Sequence, residues 1–166
     1  MIIAIVHADK NWGIGKDNDM MFSLPKDMKF FRETTMGHVV VMGGNTLRSF
    51  PNQKPLKNRV NIVVSRGNVC DECIMVRDMD ALKAEMKKRE NEDIYVIGGG
   101  AIYKELLPYC QKALVTKVDA DGGAEIFFPN LDKDDNFELV YESESREDNG
   151  YKIRFTTYEN RAVKTL

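Results

Sequence analysis

Four short apolar runs limit most strongly what this chain can fold into: IIAIVHA at 2–8, HVVVM at 38–42, RVNIVVSR at 59–66 and DIYVI at 93–97. The first two are apolar at successive positions and of strand length, as expected of strands covered on both faces. Helix-patterned stretches separate the runs. One starts at Pro25; a short one begins near Leu47, with Asn45 or Thr46 as its cap; another spans Met79–Arg89; and AIYKELL is stopped by Pro108. Strands alternating with helices require a parallel sheet. CIMV at 73–76 and ALVTKVD at 113–119 add strands, and FELVYESES and GYKIRFTTYEN form an antiparallel hairpin through Asn149-Gly150, a pair that favours a type I′ turn. The expected fold is α/β: a central, mostly parallel sheet of about eight strands with helices on both faces and an antiparallel C-terminal hairpin at its edge.

The 166 residues have the length of one domain, taken as 1–166, with 43% hydrophobic and 30% charged residues, too apolar for disorder. A formal charge of -2 excludes general affinity for nucleic acid or membrane, so an anionic ligand must be held by local basic residues. The run at the start of MIIAIVHAD is too short for a membrane span and lacks signal-peptide features, which makes the cytoplasm the default compartment. Cys70 and Cys73 in CDEC have metal or redox spacing, but a closed zinc site needs four ligands and only Cys110, His7 and His38 remain. No metal site is assigned, and the odd cysteine count suits a reducing compartment.

The helix from Pro25 carries the first candidate site. Leu24, Met28, Phe31 and Thr35 recur along one face, with Asp27 beside that stripe and Phe31 one turn further on. Either Asp27 complements the positive end of the helix dipole, or carboxylate and ring share a space fit for a flat polar heterocycle. The preceding loop, DKNWGIGKDND, reads as long and adjustable, either a lid or a plain connection.

At Gly43–Thr46 and Gly98–Ala101 a strand runs through glycine into a helix. Such places are either plain turns or cradles in which free N–H groups meet phosphate. Arg66 and Arg77, each just after a strand, are either solvated or hold a further phosphate.

Taken in order, GIGKDND, LPKDMKFF, VVVMGGNTLRSF, PLKNRVNIVVSR, VIGGGAIY, LVTKVD and IFFP resemble the dihydrofolate reductase family over nearly the full length. The resemblance implies NADPH lying across the carboxyl ends of the strands, reduction of 7,8-dihydrofolate to 5,6,7,8-tetrahydrofolate, dihydrofolate and antifolate inhibitors as ligands, and a monomer. It makes Asp27 the acid that grips the pterin and Thr116 its supporting hydroxyl. Ile5, Val6, Met28, Phe31, Phe50, Leu56 and Ile97 become pocket walls, Arg59 the clamp on the folate α-carboxylate, and Lys54 and Lys57 weaker attractors. For the cofactor it implies Gly98, Gly99, Gly100, Ala101, Ile102 and Tyr103, with a cis peptide between the first two glycines. Gly43, Gly44, Asn45, Thr46, Leu47, Ser65, Arg66 and Arg77 complete the cofactor side, and Ile14, Gly15, Asp19 and Met20 belong to a mobile loop that closes over the nicotinamide.

Three positions depart from the family's pattern. Met21-Phe22 stand where Pro-Trp is usual, so the indole N–H that fixes a water near the substrate is absent and Phe22 holds the catalytic-loop position. His7 replaces a usual alanine beside pterin and nicotinamide; it either disturbs ligands or makes a local hydrogen bond. Gly44 replaces a common arginine, whose contact is lost unless Arg48 or backbone N–H groups supply it. Two other activities fit parts of the pattern: a related NADPH-dependent reductase of a pyrimidine or another pterin, and a catalytically silent folate- or nucleotide-binding protein.

Overall fold

The computed structural model describes residues 1–17, 19–67 and 69–166; Asn18, in the expected mobile loop, and Asn68 lie outside the described residues. In chain order the strands and α-helices are β1 (Ile2–Ala8), β2 (Gly13–Gly15), α1 (Pro25–Thr35), β3 (Val39–Gly43), α2 (Gly44–Ser49), β4 (Val60–Val64), β5 (Ile74–Val76), α3 (Met79–Lys87), β6 (Ile94–Gly98), α4 (Gly100–Leu106), β7 (Lys112–Val118), β8 (Ile126–Phe127), β9 (Phe137–Glu142), β10 (Arg146–Asp148) and β11 (Tyr151–Asn160). The main sheet runs β10-β11-β7-β1-β6-β3-β4-β5, with β9 also paired to β11. From β7 to β5 the neighbours are parallel; β11 is antiparallel to β7, β9 and β10. Asn149 and Gly150 both take positive φ, 52° and 86°, as a type I′ turn demands.

The apolar runs are covered on both faces. In β3, Val39 and Val41 pack with Leu82 and Met86 of α3 and Ile102 and Leu106 of α4. Val40 and Met42 point the other way, toward Leu47 of α2, in a cluster against which Phe30 and Phe31 of α1 pack. Side chains alternate between faces along a strand, so an unbroken apolar run serves two layers. Helices therefore lie on both sides of the sheet.

Three local expectations need correction. The second helix begins at Gly44 rather than near Leu47, and its N-cap is Gly43 with no side-chain cap. Asn45, expected as a cap, is engaged by Arg48 Nη1 at 2.7 Å. The segment after β1 is not simply a loop. Gly13–Gly15 pairs with Ile126–Phe127, and Asp9 organises the approach: its Oδ1 accepts from the N–H groups of Asn11 and Gly13, and its Oδ2 from that of Gly122. Finally, Cys70 and Cys73 are joined in a disulfide, so the odd cysteine count does not mean three thiols; the buried Cys110 is the free one.

Among the described residues, no helix is long and apolar enough to cross a membrane, and no cluster of His, Cys, Asp and Glu is suited to a metal ion.

Candidate active site

The amino end of α1 is fastened from the far end of the chain. Leu24, its N-cap, offers no side-chain acceptor, and Pro25 in the first turn has no N–H to satisfy. The next two N–H groups, of Lys26 and Asp27, both donate to the carboxylate of Asp148, each at 3.1 Å. Asn149 Nδ2 also donates to Ser23 O at 2.9 Å. The β10–β11 turn thus caps the helix. Neither contact is legible locally, since they join residues more than 100 positions apart.

Asp27 is buried, 9% exposed, which supports the reading in which it shares a space with Phe31 over that of an acid complementing the dipole from solvent. Its Oδ1 accepts from Thr116 Oγ1 at 2.6 Å, and its Oδ2 lies 3.3 Å from His7 Nδ1. His7 of β1 and Thr116 of β7 are paired in register, so adjacent strands present both side chains to one carboxylate. The other ring nitrogen of His7, Nε2, is buried and finds no hydrogen-bond partner among the described residues. His7 thus stands at ion-pair distance from Asp27, 3.3 Å, without the geometry of the local hydrogen bond that was one of its two expectations.

The apolar stripe of α1 is not wholly buried. Met28 is 49% exposed, whereas Phe31, Phe50, Leu56 and Ile97 pack partly buried against the cluster containing Ile5. Half-covered apolar side chains beside a buried acid leave apolar surface open to a flat ligand, as the wall of a groove would. Val6 faces the opposite cluster. Phe22 is buried among Leu24, Val118 and Ile153, with its ring 4.8 Å from that of Tyr151 and 6.2 Å from that of His7. Met20 is exposed.

Arg59 is held at three of its nitrogens: Nε donates to Thr35 Oγ1 at 3.1 Å, Nη1 to Lys57 O at 2.7 Å and Nη2 to Arg32 O at 2.8 Å. All three acceptors are neutral, so the charge is oriented without being neutralised by them. Burial first, and then the positive charge of Arg32, lower its pKa. Lys54 and Lys57 are exposed nearby in sequence.

The two glycine sites lie side by side, because β3 and β6 are neighbours and Met42 pairs with Gly98. Gly98-Gly99 is a cis peptide. Gly98 has φ +118°, and a Cβ there would lie 3.2 Å from the ring of Tyr103. Tyr103 Oη donates to Ile5 O at 2.7 Å, tying α4 to β1; burial, with the charge of Asp27 second, pushes its phenol pKa up. Among the described residues no side chain caps α2 or α4. Arg48 Nη1 lies 3.4 Å from the Cβ position of Gly44, so a guanidinium does stand over that glycine. Ser65 Oγ lies 3.3 Å from the same point. Val64 pairs with Val76, which sets Arg66 and Arg77 just beyond adjacent strand ends. Both are exposed. From β8, Ile126 approaches the Cβ positions of Gly15 and Gly100, linking the first loop to the start of α4.

The structure thus gathers Asp27, Thr116, His7 and the groove walls at one end, and the glycines, Thr46, Ser65 and Arg48 at the other. Three functional neighbours escaped the sequence reading: Asp148, Asp9 and the Tyr103–Ile5 bond. Asp9 alone carried a local signal, an acid directly after a strand with glycine four residues on.

A family model described as Dihydrofolate reductase matches residues 1–160. The dihydrofolate reductase of Bacillus subtilis is 34% identical over 166 residues, covering 97% of this chain and 95% of that protein. The Haemophilus influenzae protein of the same name is 34% identical over 153 residues, covering 91% of this chain and 93% of that one. The bifunctional dihydrofolate reductase-thymidylate synthase of Glycine max is 32% identical over 173 residues, and the chain spans only 32% of that longer protein.

Proposed function

The chain belongs to the dihydrofolate reductase family, and from that premise we propose how its residues divide the work. Its activity is the family's: an oxidoreductase that reduces dihydrofolate to tetrahydrofolate with a nicotinamide cofactor.

Asp27 anchors the pterin. A carboxylate offers two acceptors side by side, and the 2-amino group and adjacent ring N–H of a pterin offer two donors at matching spacing. Thr116 occupies one lone pair of Oδ1 and fixes the plane of the fork. Ile5, Met28, Phe31, Phe50, Leu56 and Ile97 enclose the ring, Val6 backs the same strand from the opposite cluster, and Arg59 takes the α-carboxylate of the glutamate tail, with Lys54 and Lys57 adding weaker attraction. Antifolates that present the same donor pair bind at the same acid.

We assign NADPH as the reductant. Two uncapped helix starts and the Gly43-Gly44 and Gly98–Gly100 turns fit a ligand with several phosphates. Asn45, Thr46, Leu47, Ala101, Ile102 and Tyr103 line that side. Ser65, Arg66 and Arg77 supply hydroxyl and positive charge for a further phosphate on the adenosine ribose, the feature that separates NADPH from NADH. Arg48 replaces the contact missing at Gly44. When bound, the nicotinamide supplies the hydride that reaches C6 of the pterin. Asp27 favours positive character in the ring while a water gives N5 its proton. Ile14, Gly15, Asp19 and Met20 close over the reacting rings and exclude further water. Phe22 has no polar atom, so that position shapes the groove without holding the water. Residues 1–166 act as one domain, in the cytoplasm and as a monomer.

The observation that carries this reading is the burial of Asp27 between Thr116 and His7. The test follows NADPH oxidation by the purified protein through the near-ultraviolet absorbance of the reduced nicotinamide. The loss of signal is expected to depend on dihydrofolate and to be much slower with NADH. Absence of dihydrofolate-dependent oxidation would overturn the reading, and equal use of NADH would overturn the assignment of the ribose phosphate.

A further inference from the structure

His7 stands where the substrate's anchor is made, yet nothing in the reaction as derived above uses it. Its side chain is 8% exposed and that of Asp27 12%, so the 3.3 Å contact between Nδ1 and Asp27 Oδ2 lies away from bulk water. A carboxylate only accepts, so Nδ1 is the nitrogen that must carry a hydrogen for the contact to attract. The ring's other nitrogen, Nε2, is fully buried and finds no hydrogen-bond partner among the described residues, so Nδ1 is the nitrogen through which the imidazole can act. The strand register accounts for the placement: His7 pairs with Thr116, and the two approach opposite oxygens of the same carboxylate.

Resting on the assignment of Asp27 as the pterin anchor, we propose that His7 is a positioning residue acting through Asp27: Nδ1 stands against Oδ2 while Thr116 holds Oδ1. Two holds from neighbouring strands stop the carboxylate from rotating about its last bond. The fork then meets the two pterin donors in one orientation instead of being ordered by the substrate itself. Phe22 is the aromatic neighbour of the imidazole, with its ring centroid 6.2 Å from that of His7. The role concerns the pterin end, so the cofactor is bound equally well with or without the imidazole.

The experiment compares wild type with His7→Ala, His7→Asn and His7→Gln, alone and combined with Asp27→Asn. An asparagine amide nitrogen reaches the place of Nδ1, and a glutamine amide nitrogen the place of Nε2. Loss of one buried, charge-assisted contact corresponds to about a tenfold fall in kcat/KM for dihydrofolate in His7→Ala, with KM for NADPH unchanged. His7→Asn is expected to recover most of that loss, and His7→Gln much less. In the Asp27→Asn background, His7→Ala is expected to change kcat/KM by less than about twofold, because a residue acting through another has nothing left to act on. Should His7→Ala melt early, the Asn and Gln variants, both able to fill the space, carry the comparison. Equal rescue by both, or a full tenfold loss persisting without Asp27, would overturn the proposal, as would unaltered kcat/KM in His7→Ala. A wild-type protein inactive on dihydrofolate would instead overturn the assignment of Asp27.

Discussion

Replacing Arg59 by alanine separates the two ends of the substrate. Three neutral acceptors hold the guanidinium, at Thr35 Oγ1, Lys57 O and Arg32 O, and a guanidinium has five N–H donors, so two remain for a carboxylate. Hydrogen bonds to a charged group contribute about 1.5–3 kcal/mol each, and Arg59 is only half-buried, so the pair is discounted to about 2 kcal/mol in total. At 1.36 kcal/mol per factor of ten, KM for dihydrofolate rises about 30-fold. The charge of Arg32, which helps lower the pKa of Arg59, stays behind, so some attraction for the carboxylate survives. Saturating turnover should hold within a few-fold, since the tail is remote from C6 and N5. Steady-state kinetics on dihydrofolate and on a reduced pterin lacking the glutamate tail provide the control. The tailless substrate has no carboxylate to lose, and its KM is expected to change by less than about twofold, whatever the substitution does to the local fold. Arg59→Lys keeps the charge but not the fork and should fall between. Equal loss on both substrates would refute the clamp and leave Arg59 as a strut between α1 and the Lys57 turn.

Other consequences are equally open to measurement. Thr116→Val keeps the shape but removes the 2.6 Å bond to Asp27, so kcat/KM should drop about tenfold with little change in KM for NADPH. Asp148→Ala strands the N–H groups of Lys26 and Asp27; urea unfolding should show about 1–3 kcal/mol lost at unchanged m, and an unchanged midpoint would dismiss the cap. Burial pushes the Cys110 thiol up to about 12 from a usual 9.0, so the folded chain keeps a proton that the unfolded chain releases. Its share of stability is therefore complete below 9.0 and is lost as pH rises toward about 12, and alkylation of Cys110 in mildly alkaline buffer should require unfolding. Denatured without reductant, the chain should expose one thiol, and after reduction three.

The parts of the fold legible in the sequence were those fixed by burial on two faces. Val39 to Met42 face two clusters in turn, and no other placement hides such a run. The Asn149-Gly150 turn was equally plain, because only residues tolerant of positive φ serve there. The start of α2 was misplaced because glycine reads as a breaker, whereas here Gly43 is the cap and Gly44 already belongs to the helix. The β2–β8 pair is too short to show a period. At the site, Asp27 and Phe31 were visible as neighbours on one helix, and Thr116 entered only through resemblance, since it meets Asp27 across 89 positions. The turn of His7 onto Asp27 could not be read from a lone strand histidine, because it depends on the register of β1 against β7.

The most direct test exchanges one oxygen of the anchor. Asp27→Asn preserves the volume and the place beside Thr116 and His7 but puts a donor where the pterin needs an acceptor. Turnover of dihydrofolate with NADPH near neutral pH is predicted to fall on the order of 10²-fold or more, the range of a positioned acid–base group. Activity within a few-fold of wild type would contradict the account at its centre.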